Sequence, residues 1–213
     1  MTTFVLASAS PARLAVLRAA GIDPVVRVSG VDEDAVTAGL GPDPAPELVV
    51  GELARAKATA VIEAVTREGI YDAVIVGCDS MLLIDGELQG KPGTVDAART
   101  RWRTMAGGSG TLLTGHSIVH ISNGVTVGER HAHTATVVHF ATPTDAELEA
   151  YLASGEPLAV AGAFTLDALG GWFVERIEGD PSSVVGIGLP LVRSLLTELG
   201  FAVSDLWSVP REI

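Results

Sequence analysis

The chain has 213 residues, 47% of them hydrophobic, a formal net charge of −12 at pH 7 and a single cysteine. That length can bury the core of one domain, so residues 1–213 are expected to form a single domain of one or two lobes, and the lone Cys78 excludes a disulfide framework or a multi-thiolate zinc site. The acidic balance excludes broad contact with a nucleic acid polymer, while a small anion met by a few local cations, or carried with a divalent metal, remains compatible with it.

Phe4-Val5-Leu6-Ala7 reads as a short strand that runs into Ser8-Ala9-Ser10-Pro11. Leu14, Leu17 and Ala20 then recur at helical spacing, with Ser10 suited to the N-cap, Pro11 to the first turn and Gly21 to the stop. A strand, a serine-rich turn and a helix N-terminus offer backbone N–H groups to an anion, and Arg13 adds a cation; capping alone would use the same serine and proline. Residues 24–29 read as a second strand, and the acidic cluster Asp32-Glu33-Asp34 after it either holds a hard cation or lies solvated. Residues 35–46, rich in Ala, Gly and Pro, lack periodicity and read as a loop. Residues 47–68 form the longest helical pattern, ended by Gly69, with Glu52, Arg55 and Lys57 on its surface unless Lys57 turns inward.

The run Ala73-Val74-Ile75-Val76-Gly77-Cys78-Asp79-Ser80 reads as a strand buried on both faces. Asp79 stands at its carboxyl end, where open α/β sheets place their chemistry, and is the first catalytic candidate; the alternative is a cap for the segment that follows. Asp85-Gly86 between two short apolar runs signals a hairpin, which would bring Lys91 back toward Asp79. Residues 95–105 read as a helix capped by Thr94 and closed by Gly107-Gly108, with Arg99, Arg101 and Arg103 facing solvent. Residues 111–121 and 125–141 read as strands joined at Ser122-Asn123-Gly124. His131 and His133 share one face of the second strand, a spacing that suits zinc only with further ligands, and no third one is evident. Thr144 and Glu147 form a capping box for a helix to Ala153, closed by Gly155. The small residues of 160–171 imply close backbone approach; 172–177 read as a strand, 178–183 as a loop, and 190–199 as a last helix that buries Leu191, Leu195 and Leu196. No apolar run approaches the roughly 18 residues of a membrane span and no basic segment precedes an apolar one at the start, so neither a span nor a signal peptide is expected and the location is expected to be cytoplasmic.

Taken in order, Leu6-Ala7-Ser8-Ala9-Ser10-Pro11, Val31-Asp32-Glu33, Lys57-Ala58, Gly77-Cys78-Asp79-Ser80, Gly90-Lys91-Pro92, Leu113-Thr114-Gly115 and Val174-Glu175-Arg176-Ile177-Glu178-Gly179 resemble the Maf family of nucleotide pyrophosphatases over nearly the whole chain. The resemblance implies an elongated, two-lobed α/β fold like that of the inosine triphosphate pyrophosphatases, a mixed sheet with flanking helices and a central cleft. It implies a cytoplasmic, homodimeric enzyme that splits nucleoside triphosphates, noncanonical or modified ones included, into the monophosphate and pyrophosphate with Mg²⁺ or Mn²⁺. By position it assigns phosphate binding to Ser8, Ser10, Arg13, Lys57 and Lys91, the acidic metal position to Glu33, and the general base, with metal contact, to Asp79. Ala12, Ser80 and Asp167 stand where the branch that hydrolyses dTTP and UTP has Arg, Thr and Gln, which makes Ser80 and Asp167 the expected marks of a different base preference. An amide both donates and accepts, whereas an ionised Asp167 only accepts. The alternative reading is a nucleotide-binding regulator of septum formation with little catalytic role; a sugar-phosphate nucleotidyltransferase would need a second substrate site, for which no motif is evident.

Overall fold

The first apolar run forms β1 (Thr3–Leu6), and the polypeptide then turns through Ser8 into α1 (Pro11–Ala19). As the cap residues require, the Ser10 hydroxyl accepts from the Arg13 N–H, Pro11 opens the helix and Gly21 follows it with φ 85°. The protein, a computed structural model that describes residues 2–208, continues through β2 (Val25–Val26), α2 (Glu33–Ala38), α3 (Pro46–Ala60), α4 (Ile62–Arg67), β3 (Ala73–Ile84) and β4 (Glu87–Gln89). It ends with α5 (Val95–Met105), β5 (Ser109–Ser122), β6 (Val125–Phe140), α6 (Asp145–Ala153), β7 (Val174–Glu178), α7 (Pro181–Val185) and α8 (Leu189–Glu198). The strands form a mixed α/β sheet ordered β2-β1-β3-β5-β6-β7, with β4 paired to β3. β1 is parallel to β2 and β3, whereas the β3–β4 and β6–β7 pairs are antiparallel.

The described residues divide into two units. The first draws on residues 2–79, Gly115–His133 and residues 186–208. In it one core joins Phe4, Leu6, Leu17, Val74, Val76 and Ile118 with Leu195 and Leu196 of α8, and a second joins Val5, Ala58, Val61, Val65, Ile75 and Val119. The second unit, Ser80–Thr114 and Thr134–Val185, packs around fully buried Trp102, whose ring meets Phe140, Tyr151 and Phe173 edge-on at centroid distances of 5.9, 5.9 and 5.7 Å and donates to the Ala163 carbonyl at 2.8 Å.

Several expectations need correction. The first residues of the loop expected over 35–46 belong to α2, because the Asp32 side chain accepts from the Ala35 N–H at 2.9 Å and starts a helix too short to show a period. The single helix expected over 47–68 is broken at Val61, the C-cap of α3 and the N-cap of α4. Asp79 does not end its strand; β3 continues to Ile84, and only its first part, Ala73 to Val76, pairs with β1. The loop expected over 178–183 gives way at Pro181 to α7, held by Asp180, whose carboxylate accepts from both Ser182 and Ser183 hydroxyls at 2.7 and 2.6 Å. Strand β7 starts at Val174 rather than 172, since Leu169–Phe173 is a 3-10 turn. Arg99 and Arg101 are half-buried: Arg99 pairs with Glu149 and Asp96, and Arg101 donates to the Gly90 carbonyl at 2.5 Å. No helix among the described residues is long and apolar enough to cross a membrane.

Candidate active site

In the first unit, β1 and β3 run side by side until Leu6 meets Val76, and the Ala7 N–H donates to the Val76 carbonyl at 2.8 Å. Beyond that point the link to Asp79 runs through Arg13, which bonds Ser8 and lies close enough to act electrostatically on both Cys78 and Asp79. Ser8 is buried, and its hydroxyl oxygen accepts from the Ser10 N–H and from Arg13 Nη1, both at 3.1 Å. Arg13 Nε donates to the Gly186 carbonyl at 2.7 Å. The serine turn, the first turn of α1 and the segment before α8 are thereby tied through one guanidinium. A Cβ on Gly186, where φ is 127°, would stand 3.2 Å from Arg13 Nε. Gly188 nearby donates its N–H to Nε2 of fully buried His116 at 2.8 Å.

Lys57 is buried because it lies on the apolar stripe of α3, with Val50, Leu53, Ala54 and Ala58. Helix and strand approach closely there: a Cβ on Gly77 would collide with the Ala54 carbonyl oxygen and stand 2.7 Å from the Ala58 nitrogen. Lys57 Nζ meets Asp79 Oδ1 at 2.5 Å and Glu33 Oε1 at 2.7 Å. Asp79 is 7% exposed, whereas the Glu33 side chain is about half exposed at 48%. Burial pushes the Asp79 carboxyl above its ordinary range, and Lys57 and Arg13 oppose that shift without cancelling it. The neighbouring Cys78 thiol is pushed up by burial to about 11, which keeps it protonated and inert.

Two carboxylates converging on one ammonium from α2 and β3 make a pair of hard oxygen donors at a single point. Among the described residues no three His, Cys, Asp or Glu side chains gather as a metal cage. The donor set therefore fits a small hard cation that takes one or two carboxylates and completes its shell with phosphate oxygens and water, not one that needs an all-protein site. His131 and His133 are exposed and join no such group.

The remaining expected residues lie in the second unit. Ser80, half-buried, shares a hydrogen bond of 3.0 Å with the Thr114 hydroxyl, which donates to the Ser183 carbonyl at 3.0 Å. The β3–β4 hairpin forms as expected, with positive φ at Asp85 and Gly86 and with Leu82 opposite Gln89. Its register points Lys91 toward the position opposite Ser80, but β4 ends at Gln89 and Lys91 is exposed. Asp167 is exposed on the segment between Phe164 and Leu169. Four participants escaped sequence reasoning: His116, Thr114 as a hydrogen-bond bridge, and the glycines Gly186 and Gly188. The Gly-Ile-Gly spacing of 186–188 was the available signal for the last two, while the partners of His116 and Thr114 are distant in sequence.

A family model described as Maf-like protein matches residues 3–199. A protein of Rhodococcus jostii (strain RHA1) named nucleoside triphosphate pyrophosphatase is 74% identical over 208 residues, covering 98% of this chain and 97% of that one. Proteins of the same name from Nocardia farcinica (strain IFM 10152) and Mycolicibacterium gilvum (strain PYR-GCK) are 66% and 54% identical; each alignment covers 98% of this chain, and 98% and 100% of the respective relatives.

Proposed function

Because the chain belongs to the Maf-like protein family, we propose that it is a nucleoside triphosphate pyrophosphatase, releasing the monophosphate and pyrophosphate by attack of water at the α-phosphorus. The observation that carries this reading is a buried carboxylate, Asp79, held by a buried cation beside a second carboxylate, in a chain whose near-full-length relatives bear that name. Asp79 orients the attacking water and takes its proton, a role suited to a carboxyl whose pKa burial has raised. Lys57 and Arg13 offset negative charge that grows on the phosphates, which is the main demand of phosphoryl chemistry. The Ser8 oxygen already accepts twice, so its own proton is the group it has to offer a phosphate oxygen. Ser10 and the first-turn N–H groups of α1 add donors on the same side of that helix N-terminus.

Glu33 and Asp79 are the residues that would hold Mg²⁺ or Mn²⁺. When bound, such an ion neutralises phosphate charge and acidifies a bound water. Ser80, Lys91 and Asp167 belong to the proposal as substrate contacts, and so do a homodimeric state, which sedimentation would test, and a cytoplasmic location.

The deciding experiment is a panel of ordinary and modified nucleoside triphosphates with Mg²⁺ or Mn²⁺, scored separately for pyrophosphate and orthophosphate. Pyrophosphate with the monophosphate is expected; binding without turnover of any member would favour a regulator, and orthophosphate release would move the attack away from the α-phosphorus. Given Ala12, Ser80 and Asp167, a preference for dTTP and UTP beyond about a hundredfold is not expected, because larger ratios need polar groups matched to the base, and these three depart from the residues of the branch that selects those two nucleotides.

A further inference from the structure

The segment that carries Asp167 is closed on itself and tied to one side chain. Thr165 Oγ1 donates to Glu156 Oε1 at 2.6 Å, the Gly170 N–H donates to the same oxygen at 2.9 Å, and the Leu169 N–H donates to Oε2 at 3.1 Å. The Gly170 N–H also reaches Thr165 Oγ1 at 3.1 Å, which joins the two ends of the loop directly. Only glycine fits at 170, because a Cβ there would stand 2.5 Å from both the Thr165 nitrogen and the Tyr151 hydroxyl. With the ends drawn together, Asp167, Ala168 and Leu169 are thrown outward and exposed.

Glu156 is itself fixed from behind. It follows Gly155, which takes φ 77° just past the end of α6, its N–H donates to Ser154 Oγ at 3.2 Å, and Pro157 comes next. The carboxylate belongs to a rigid base and spends both oxygens on the loop. Burial pushes its pKa up, but the bonds from Thr165, Gly170 and Leu169 outweigh burial and hold it below the ordinary range, so it stays an acceptor across the neutral range.

We propose that Glu156 is the positioning residue for the loop that presents Asp167, and that it sets nucleobase selectivity through Asp167 without touching substrate. The proposal rests on the reading of the chain as a nucleoside triphosphate pyrophosphatase in which Asp167 meets the base.

The test is a double-mutant cycle on the full chain with Asp167→Ala, Glu156→Ala and the pair, measuring kcat and KM for a purine and a pyrimidine triphosphate. Glu156→Ala frees three donors at once, so the purine-to-pyrimidine ratio of kcat/KM is expected to move about tenfold toward that of Asp167→Ala, mainly through KM. Glu156→Gln keeps an oxygen for Thr165 and Gly170 but turns an amide toward the Leu169 N–H, and should fall between wild type and Ala. The double variant should match Asp167→Ala alone, because Glu156 has nothing left to position. An equal loss for both nucleotides, or a selectivity change in Glu156→Ala that persists unchanged in the Asp167→Ala background, overturns the proposal. Amide exchange at Leu169 and Gly170 should accelerate at least tenfold in Glu156→Ala, and unchanged protection also overturns it. A wild type silent toward every triphosphate overturns the enzymatic reading instead, while the exchange experiment still reports on the loop. If Glu156→Ala does not fold, Glu156→Gln carries both measurements.

Discussion

Asp79 differs from an ordinary surface aspartate in that burial and Lys57 act on it in opposite directions, and burial prevails. Asp79→Asn keeps the shape but cannot take a proton, so kcat should fall by about 10²- to 10⁴-fold, the usual contribution of a general base. KM should stay similar or fall, because Ser8, Arg13 and Lys57 remain and a negative charge near the phosphates has gone. Near-normal turnover by the folded variant would reduce Asp79 to a structural partner of Lys57. The raised pKa also has a sign. As pH falls through it, Asp79 becomes protonated and stops accepting, so the acid limb of kcat/KM should lie above the roughly 3.9 of a free aspartate. In Lys57→Met the opposing cation is absent, and the limb should move to still higher pH; a limb that stays or moves down would show that burial is not what governs Asp79. For folding, the native state holds this proton over a pH range where the unfolded chain has released it, so this group's contribution falls as pH rises through that window, and Asp79→Asn should flatten that part of the Tm-against-pH curve.

Helix α3 delivers Lys57 because it packs onto two strands at glycines: Gly77 of β3 lies against Ala54 and Ala58, and Gly115 of β5 lies against Val50 and Gly51. Gly77→Ala would drive a methyl into the helix backbone, where no side-chain rotation relieves it, and should cost about 1–3 kcal/mol of stability and displace Lys57, lowering Tm and activity together. Gly51→Ala is the control within the same helix. Its Cβ would meet nothing within 4 Å, so the exchange should stabilise the protein by roughly 0.5–1 kcal/mol through helix propensity, and a loss there would mean that α3 needs a glycine for another reason. Elements marked by local chemistry were legible in advance: the Ser10-Pro11 cap, the Asp85-Gly86 and Asn123-Gly124 turns and the Thr144–Glu147 box all occupy their expected positions. Short helices were not, since α2 and α7 have too few residues for a period and are held by Asp32 and Asp180. The extension of β3 past Asp79 was hidden because Ser80 resembles a strand end, whereas the sheet continues through Leu82 to Ile84 once β4 supplies a partner. Lys57 could have been found inward from its own helix, since it shares the stripe of Leu53, Ala54 and Ala58; its carboxylate partners, 24 and 22 positions away, could not.

At the scale of the whole molecule, 26 acidic residues against 14 basic ones give a field that opposes a free nucleoside triphosphate, so the few cations at Arg13 and Lys57 must act against the rest of the surface. Lys57 is moreover already shared between Glu33 and Asp79. A triphosphate arriving bare would add like charge to two carboxylates at short range, whereas one that arrives with a divalent cation brings the neutralising charge along. Pyrophosphate release should therefore vanish in excess chelator and return with Mg²⁺ or Mn²⁺. The fold, in contrast, draws on no gathered metal cage among the described residues, and its cores are apolar clusters around Trp102 and along β1 and β3. Chelator should leave the Tm of the nucleotide-free protein unchanged within error. A Tm drop with chelator would make the metal structural, and full turnover without free metal would make Lys57 and Arg13 sufficient for the phosphate charge; either result would overturn the assignment of Glu33 and Asp79 as carboxylates that take up a cation together with the substrate.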